Sequence, residues 1–132
     1  MLRGKYCFNV ILTLILLALP SILLAIKGPH IIFEKTAHDF GDIHAGVVVE
    51  TVFDVANQGD AFLNIDDVRT SCGCTTASVS NPEIAPGRHS EISISYNSSG
   101  LRPGKKTQTV FVHSNDSRNP LARLQIFVNI IQ

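Results

Sequence analysis

Two patterns of hydrophobic and polar residues divide this chain near residue 27. From Phe8 to Ile26 the side chains are apolar apart from Asn9, Thr13 and Ser21, and none carries a charge. A run of that length can cross a hydrocarbon core as a helix. After residue 30 the period becomes two. Glu91-Ile92-Ser93-Ile94-Ser95-Tyr96 alternates strictly, with Ile92, Ile94 and Tyr96 on one side, which predicts a half-buried strand. Leu124, Ile126, Val128 and Ile130 alternate with Arg123, Gln125, Phe127 and Asn129. Val49, Thr51, Phe53 and Val55 do so less cleanly, because Val48 and Val52 lie between them. Further strands are predicted near residues 31–35, 62–69, 75–79 and 106–113. No segment after residue 30 has a helical period.

Turn chemistry separates these runs. Asn57-Gln58-Gly59-Asp60, Asn81-Pro82, Ala85-Pro86-Gly87, Arg102-Pro103-Gly104 and Asn115-Asp116 supply residues suited to tight or left-handed turns. Seven short strands at this spacing predict an all-β fold, an immunoglobulin-like seven-stranded β-sandwich, preceded by one N-terminal hydrophobic helix. The domain organisation that follows is a signal anchor or signal peptide over 1–27 and the sandwich over 28–132. There is no Trp, so the Cys–Trp–Cys core of antibody domains is missing and the likeness is architectural.

Charge adds an address. Arg3 and Lys5 precede the apolar run and Lys27 follows it, and the excess of positive charge on the N-terminal side favours export of what comes after. The run is long for a cleaved leader, and the best cleavage point, after Ala25, has Leu23 where a small residue is wanted. The expectation is a single-pass anchor in the cytoplasmic membrane, with the domain on the periplasmic or extracellular side. The alternative is secretion to the periplasm after cleavage. The formal net charge is +0, and Lys105-Lys106 is the only adjacent cationic pair. Nucleic-acid binding needs clustered cations to neutralise phosphates, so no nucleic-acid partner is expected.

The series His38-Asp39-Phe40-Gly41-Asp42-Ile43, Gly46, Phe53-x-Val55-x-Asn57-x-Gly59 and Leu63-x-Ile65-x-x-Val68 continues through Ser71-Cys72-Gly73-Cys74-Thr75 and Ile84-x-Pro86-Gly87. It ends with Ile92-x-Ile94-x-Tyr96-Asn97, Gly104 and Val112-x-Ser114-Asn115. This series resembles a bacterial family known as domain of unknown function 1573. The resemblance implies a seven-stranded sandwich similar to sperm-protein and pilus-chaperone domains, exported or held at a membrane, and implies no activity. Phe40-Gly41 and Asn57-x-Gly59 read as strand-end corners, where Asn and Gly tolerate a left-handed backbone.

Cys72-Gly73-Cys74 is the feature most able to carry chemistry. Residues i and i+2 of an extended chain lie about 6.5 Å apart at Cα, at the edge of the range a disulfide spans. Three readings stay open. The pair is a local disulfide or packed thiols shaping a turn, a redox pair exchanging disulfides, or a metal site. If a metal binds Cys72 and Cys74, soft Cu(I) suits two thiolates, whereas structural zinc wants four ligands. His38, His44, His89 and His113 have no ligand spacing to the pair and read as surface residues. Asp66-Asp67 alternates to opposite faces and reads as solvated turn acids. No nucleophile elbow, phosphate loop or zincin motif occurs, so neither catalysis nor a cofactor beyond Cu(I) is expected. The function expected is that of a non-catalytic protein-binding or scaffold module with an unidentified protein partner. The alternative is a thiol redox or Cu(I)-binding protein.

Overall fold

The computed structural model describes residues 27–132, so the expected helix from Phe8 to Ile26 lies outside the described residues. Those residues form nine strands, β1 (Ile31–Phe33), β2 (Ala37–His44), β3 (Val48–Asn57), β4 (Leu63–Thr70), β5 (Thr75–Val79), β6 (Glu83–Ile84), β7 (His89–Asn97), β8 (Gly104–Ser114) and β9 (Leu121–Ile131). A four-stranded sheet has the order β1-β3-β7-β5 and a five-stranded sheet the order β2-β9-β8-β4-β6. Every pairing is antiparallel except that of β2 with β9, which is parallel.

The core lies between the sheets and follows the alternation in the sequence. Phe53 and Val55 on β3, with Ile92, Ile94 and Tyr96 on β7, face Val110 and Val112 on β8 and Leu124, Ile126, Val128 and Ile130 on β9. Burial of a Phe or branched aliphatic side chain contributes about 1.5–3 kcal/mol each before ordering entropy is charged against it.

Two strands go beyond the seven expected from sequence, β2 and β6. Phe40-Gly41, expected as a corner, sits inside β2. Gly41 takes φ +70 there, its N–H donates to Asp39 Oδ1 at 2.8 Å, and the register against β9 shifts between Asp39 and Asp42. The turn-like residues thus make a bulge within a strand. A second bulge, between Ile65 and Asp67 in β4, corrects the expectation for Asp66-Asp67. The pair lies in a strand rather than a turn, and Asp66 is exposed while Asp67 remains partly accessible. Asp67 pairs with Arg69, and the hydrogen bond from that guanidinium holds its carboxyl below the usual range.

The strand directions gather the connections at two poles. One pole carries loops 58–62, 85–88 and 115–120 together with the stem that enters β1. The other carries loops 45–47, 71–74 and 98–103 and the end of β9. At the stem pole, Asn57 is fully buried. Its Oδ1 accepts from the N–H groups of His30 (3.1 Å) and Gly59 (3.0 Å), and its Nδ2 donates to the carbonyls of Ala61 (2.7 Å) and Ile84 (2.9 Å). Gly59 is needed for space rather than for a left-handed backbone. A Cβ there would collide with the Gly28 carbonyl and lie 2.7 Å from the His30 nitrogen.

Candidate functional site: the cysteine corner and the edge of β3

The chain crosses from the five-stranded to the four-stranded sheet between Thr70 and Thr75, and this corner holds both cysteines. Thr70 Oγ1 lies 3.1 Å from the Cys72 carbonyl and 2.9 Å from that of Thr75, and can donate to either. The N–H of Thr75 donates to the Cys72 carbonyl at 3.2 Å, and that of Asn97 to the Cys74 carbonyl at 2.9 Å. Ser71 is locked to β8, its N–H on the Thr109 carbonyl and its Oγ accepting from the Thr109 N–H, both at 3.0 Å. A crossing this short leaves polar groups that cannot enter either ladder, and side chains rich in hydroxyls satisfy them.

Cys72 and Cys74 are joined as a disulfide, with Cα atoms 5.2 Å apart. The backbone bends to bring them closer than an extended chain would. Gly73 does so without a left-handed φ, and a Cβ there would meet open space. Both cysteines are half-buried, Cys74 against the core, while Ser71 and Gly73 are exposed. The bond links residues separated by one glycine, so it constrains the unfolded ensemble far less than a long loop would. In this state neither sulfur is a thiolate, the form that binds a soft metal. No group of three or more His, Cys, Asp or Glu converges on a metal position among the described residues. His38 lies instead 2.9 Å from Lys35 Nζ. Partial burial and then the Lys35 ammonium lower its pKa.

A second feature has no counterpart in the motifs. β1 covers β3 only from Val55 to Asn57, and Glu34 extends that contact by one bond, its N–H donating to the Asp54 carbonyl at 3.3 Å. The chain then leaves for the other sheet, where Gln125 N–H donates to the Thr36 carbonyl at 2.8 Å. The rest of β3 is bare on that side among the described residues. Backbone groups alternate sides along a strand. The Asp54 carbonyl faces β1, and the Val47 carbonyl accepts from Ser98 N–H on the β7 side at 3.1 Å. The N–H and C=O groups of Val48, Glu50 and Val52 therefore point out of the open edge.

Apolar surface gathers at the same place. Among the described residues the exposed large hydrophobics are Val47, Val48, Val52 and Phe62, at 40%, 53%, 43% and 58% exposure, and three of them belong to this edge or its entrance. The other free edges are less suited to pairing. β6 has two residues, β4 is covered by β6 at Leu63 and Asn64 and beyond them is bulged between Ile65 and Asp67, β2 is bulged, and β5 is five residues long with Thr75 already engaged at its start. Sequence reading missed the β3 edge because Val47-Val48-Val49 looks like part of any buried strand. Its exposure is set by how early β1 departs.

A family model described as "Protein of unknown function (DUF1573)" matches residues 31–130. No curated protein matches the chain. Among solved structures, a protein of unknown function from Porphyromonas gingivalis is similar over 85% of this chain and 51% of its own, at 19% identity and TM-score 0.68. This chain therefore spans about half the length of that protein. The PapD-like domain 7 of human CEP192 is similar over 77% of this chain and 85% of its own, at 11% identity and TM-score 0.57. The YadV chaperone is similar over 77% and 52%, at 17% identity and TM-score 0.54. Identities this low speak to the fold alone.

Proposed function

This chain belongs to the DUF1573 family of proteins of unknown function, and from that premise we propose that it is a non-catalytic protein-binding module, tethered by its N-terminal segment to the outer side of a cytoplasmic membrane. The partner contributes a strand that extends the four-stranded sheet along β3. The observation that carries this reading is the uncovered run from Val48 to Val52, with edge-facing backbone groups and valine side chains beside them. Strand addition draws its affinity from main-chain hydrogen bonds and its selectivity from alternate side chains, and this edge offers both. Natural sheets usually blunt or cover such edges.

The test uses the full-length protein in the membranes of producing cells. A photocrosslinking residue at position 48 should give one discrete adduct, and Val52→Pro, which removes an edge-facing N–H, should reduce it at least tenfold. An equal adduct from position 107 on the opposite sheet, or one indifferent to Val52→Pro, would count against strand addition.

The disulfide supports a second reading, thiol–disulfide exchange or Cu(I) binding after reduction, because its sulfurs lie at a partly accessible corner. Alkylation and mass spectrometry of protein taken from its native compartment would report the thiol state. Anaerobic Cu(I) titration of the reduced protein, beside a Cys72→Ser/Cys74→Ser variant, should show stoichiometric binding lost in the variant if this reading is right.

A further inference from the structure

Behind a formal net charge of zero, one of the two sheets carries charge of a single sign. The four strands of the β1-β3-β7-β5 sheet contain no Lys or Arg, and their acids are Glu50, Asp54 and Glu91. All three are exposed, and Glu34 follows directly after β1. Lys105, Lys106, Arg69 and Arg123 belong to the other sheet, beside its own acids Asp39, Asp42, Asp66, Asp67 and Glu83. Two cations flank the sheet in sequence: exposed Arg88 directly before β7, and Lys35 two residues after β1, whose Nζ lies 5.6 Å from the centroid of the Phe53 ring and 2.9 Å from His38 Nδ1. No ion pair neutralises Glu50, Asp54 or Glu91 among the described residues. Asp54 and Glu91 are directly opposite each other across β3 and β7, an arrangement that costs stability when left uncompensated.

We infer that the β3 edge accepts an extended basic segment, with a lysine or arginine opposite Glu50 and small apolar side chains two residues to either side, over Val48 and Val52. This rests on the strand-addition reading and names the chemistry of the partner. Val48, Glu50 and Val52 alternate with the buried positions of β3, so an added strand must present its own alternate residues to them. A cation at the central position would sit against Glu50, and its field would also reach the uncompensated acids at Asp54 and Glu91. A second copy of this edge fits less well in the two registers centred on Glu50 and Thr51. A two-fold pairing centred on Glu50 sets Glu50 against Glu50. One centred on Thr51 sets Val48 against Asp54, whose carbonyl already accepts from Glu34. Like charges directly opposite are unfavourable, and the first register requires them.

The test titrates full-length protein in detergent micelles, at low ionic strength, with a fluorescein-labelled peptide Thr-Val-Thr-Lys-Thr-Val-Thr and with its counterpart bearing Glu in place of Lys. The basic peptide should bind about tenfold more tightly, lose that advantage in high salt, and slow amide exchange at Val48, Glu50 and Val52. Glu50→Lys should reverse the preference, and Glu50→Gln should remove most of it if the lysine variant folds poorly. Equal binding of both peptides with protection of those amides would overturn the charge inference and leave strand addition standing. Protection by neither peptide would overturn both. A Val52→Cys variant that cross-links efficiently to itself would overturn the inference in favour of a second copy.

Discussion

The Asp116 carboxylate accepts a hydrogen bond at 3.0 Å from the backbone N–H of Ile31, a residue 85 positions earlier in the chain. The side chain of Asp116 is completely buried. Its other oxygen accepts from the Arg118 N–H at 2.9 Å, and His30 Nδ1 lies 3.5 Å away. The bond ties the first strand to the β8–β9 loop. Neighbouring bonds hold the residues before it: Arg118 Nη2 donates to the Lys27 carbonyl at 3.1 Å, and Gly28 N–H to Asp60 Oδ1 at 2.6 Å. The domain is therefore gripped from Lys27 onward.

Removing the carboxylate should leave the Ile31 and Arg118 amides without their partner. Asp116→Ala is expected to cost about 1–3 kcal/mol or more, with Asp116→Asn retaining part of the bonding through its carbonyl oxygen. Urea unfolding followed by circular dichroism measures the loss. Amide exchange at Ile31 should accelerate before exchange at Ile94 does, and a uniform acceleration would show that the bond has no local role.

The same carboxylate sets a pH dependence. Burial by itself would raise its pKa, but the Ile31 and Arg118 amides, with the charges of His30 and Arg118, hold it below the ordinary value. A group depressed in the folded state contributes stability that is fully present above its unfolded pKa, about 3.9 for Asp. That contribution is lost as the pH falls through the lower folded value. Wild-type protein should therefore lose more stability than Asp116→Asn as the pH falls from 5 to 2, and the two should converge at the acid end. Parallel decline of the two proteins would contradict the assignment.

Gly59→Ala places a Cβ against the Gly28 carbonyl and the His30 nitrogen. Backbone is the obstacle, so no side chain can swing away, and a cost of about 1–3 kcal/mol is expected for overpacking. The loss should be confined to the stem. Trypsin cleavage after Lys27 should speed up while the core strands remain protected from exchange.

The Cys72–Cys74 bond should matter little to global stability. Its loop spans three residues, Cys72 to Cys74, and chain entropy alone assigns it about 1.5 kcal/mol, against about 3 for a 15-residue loop. Urea midpoints of wild-type protein and the Cys72→Ser/Cys74→Ser variant should thus lie close together. A loss above about 4 kcal/mol would make the bond a structural staple.

How far the sequence specifies the fold can be seen strand by strand. β3, β7 and β9 are legible because each buries one face, and Phe53, Ile94 and Ile126 mark it. β2 is not legible. It lies at a sheet margin with only Ile43 buried, so it has little alternation to read, and its Gly41 bulge imitates a turn. Asp116 reads only as a turn residue because its partner Ile31 is distant in sequence. Gly59 reads as a residue suited to a left-handed backbone, whereas the fold needs it for space, since crowding by Gly28 depends on where the stem packs. The open edge of β3 could not be read locally at all. It exists because β1 is only three residues long and its continuation switches sheets. Cys72 and Cys74 stand out by their spacing, but their bonded state and placement at the pole away from the stem follow from topology.

The placement of the stem has a mechanical consequence. Gly28 and Ile131 lie at opposite poles, so tension applied between them runs along the strands rather than across them. β9, held on both sides by β2 and β8, is then loaded in shear, and many ladder bonds must fail together instead of one after another. Pulling from positions 28 and 131 should require more force than pulling from 28 and 62, which share a pole. Over a ten-residue strand such as β3 the body is roughly 33 Å long. It would act as a short, stiff strut that transmits tension from one pole to the other.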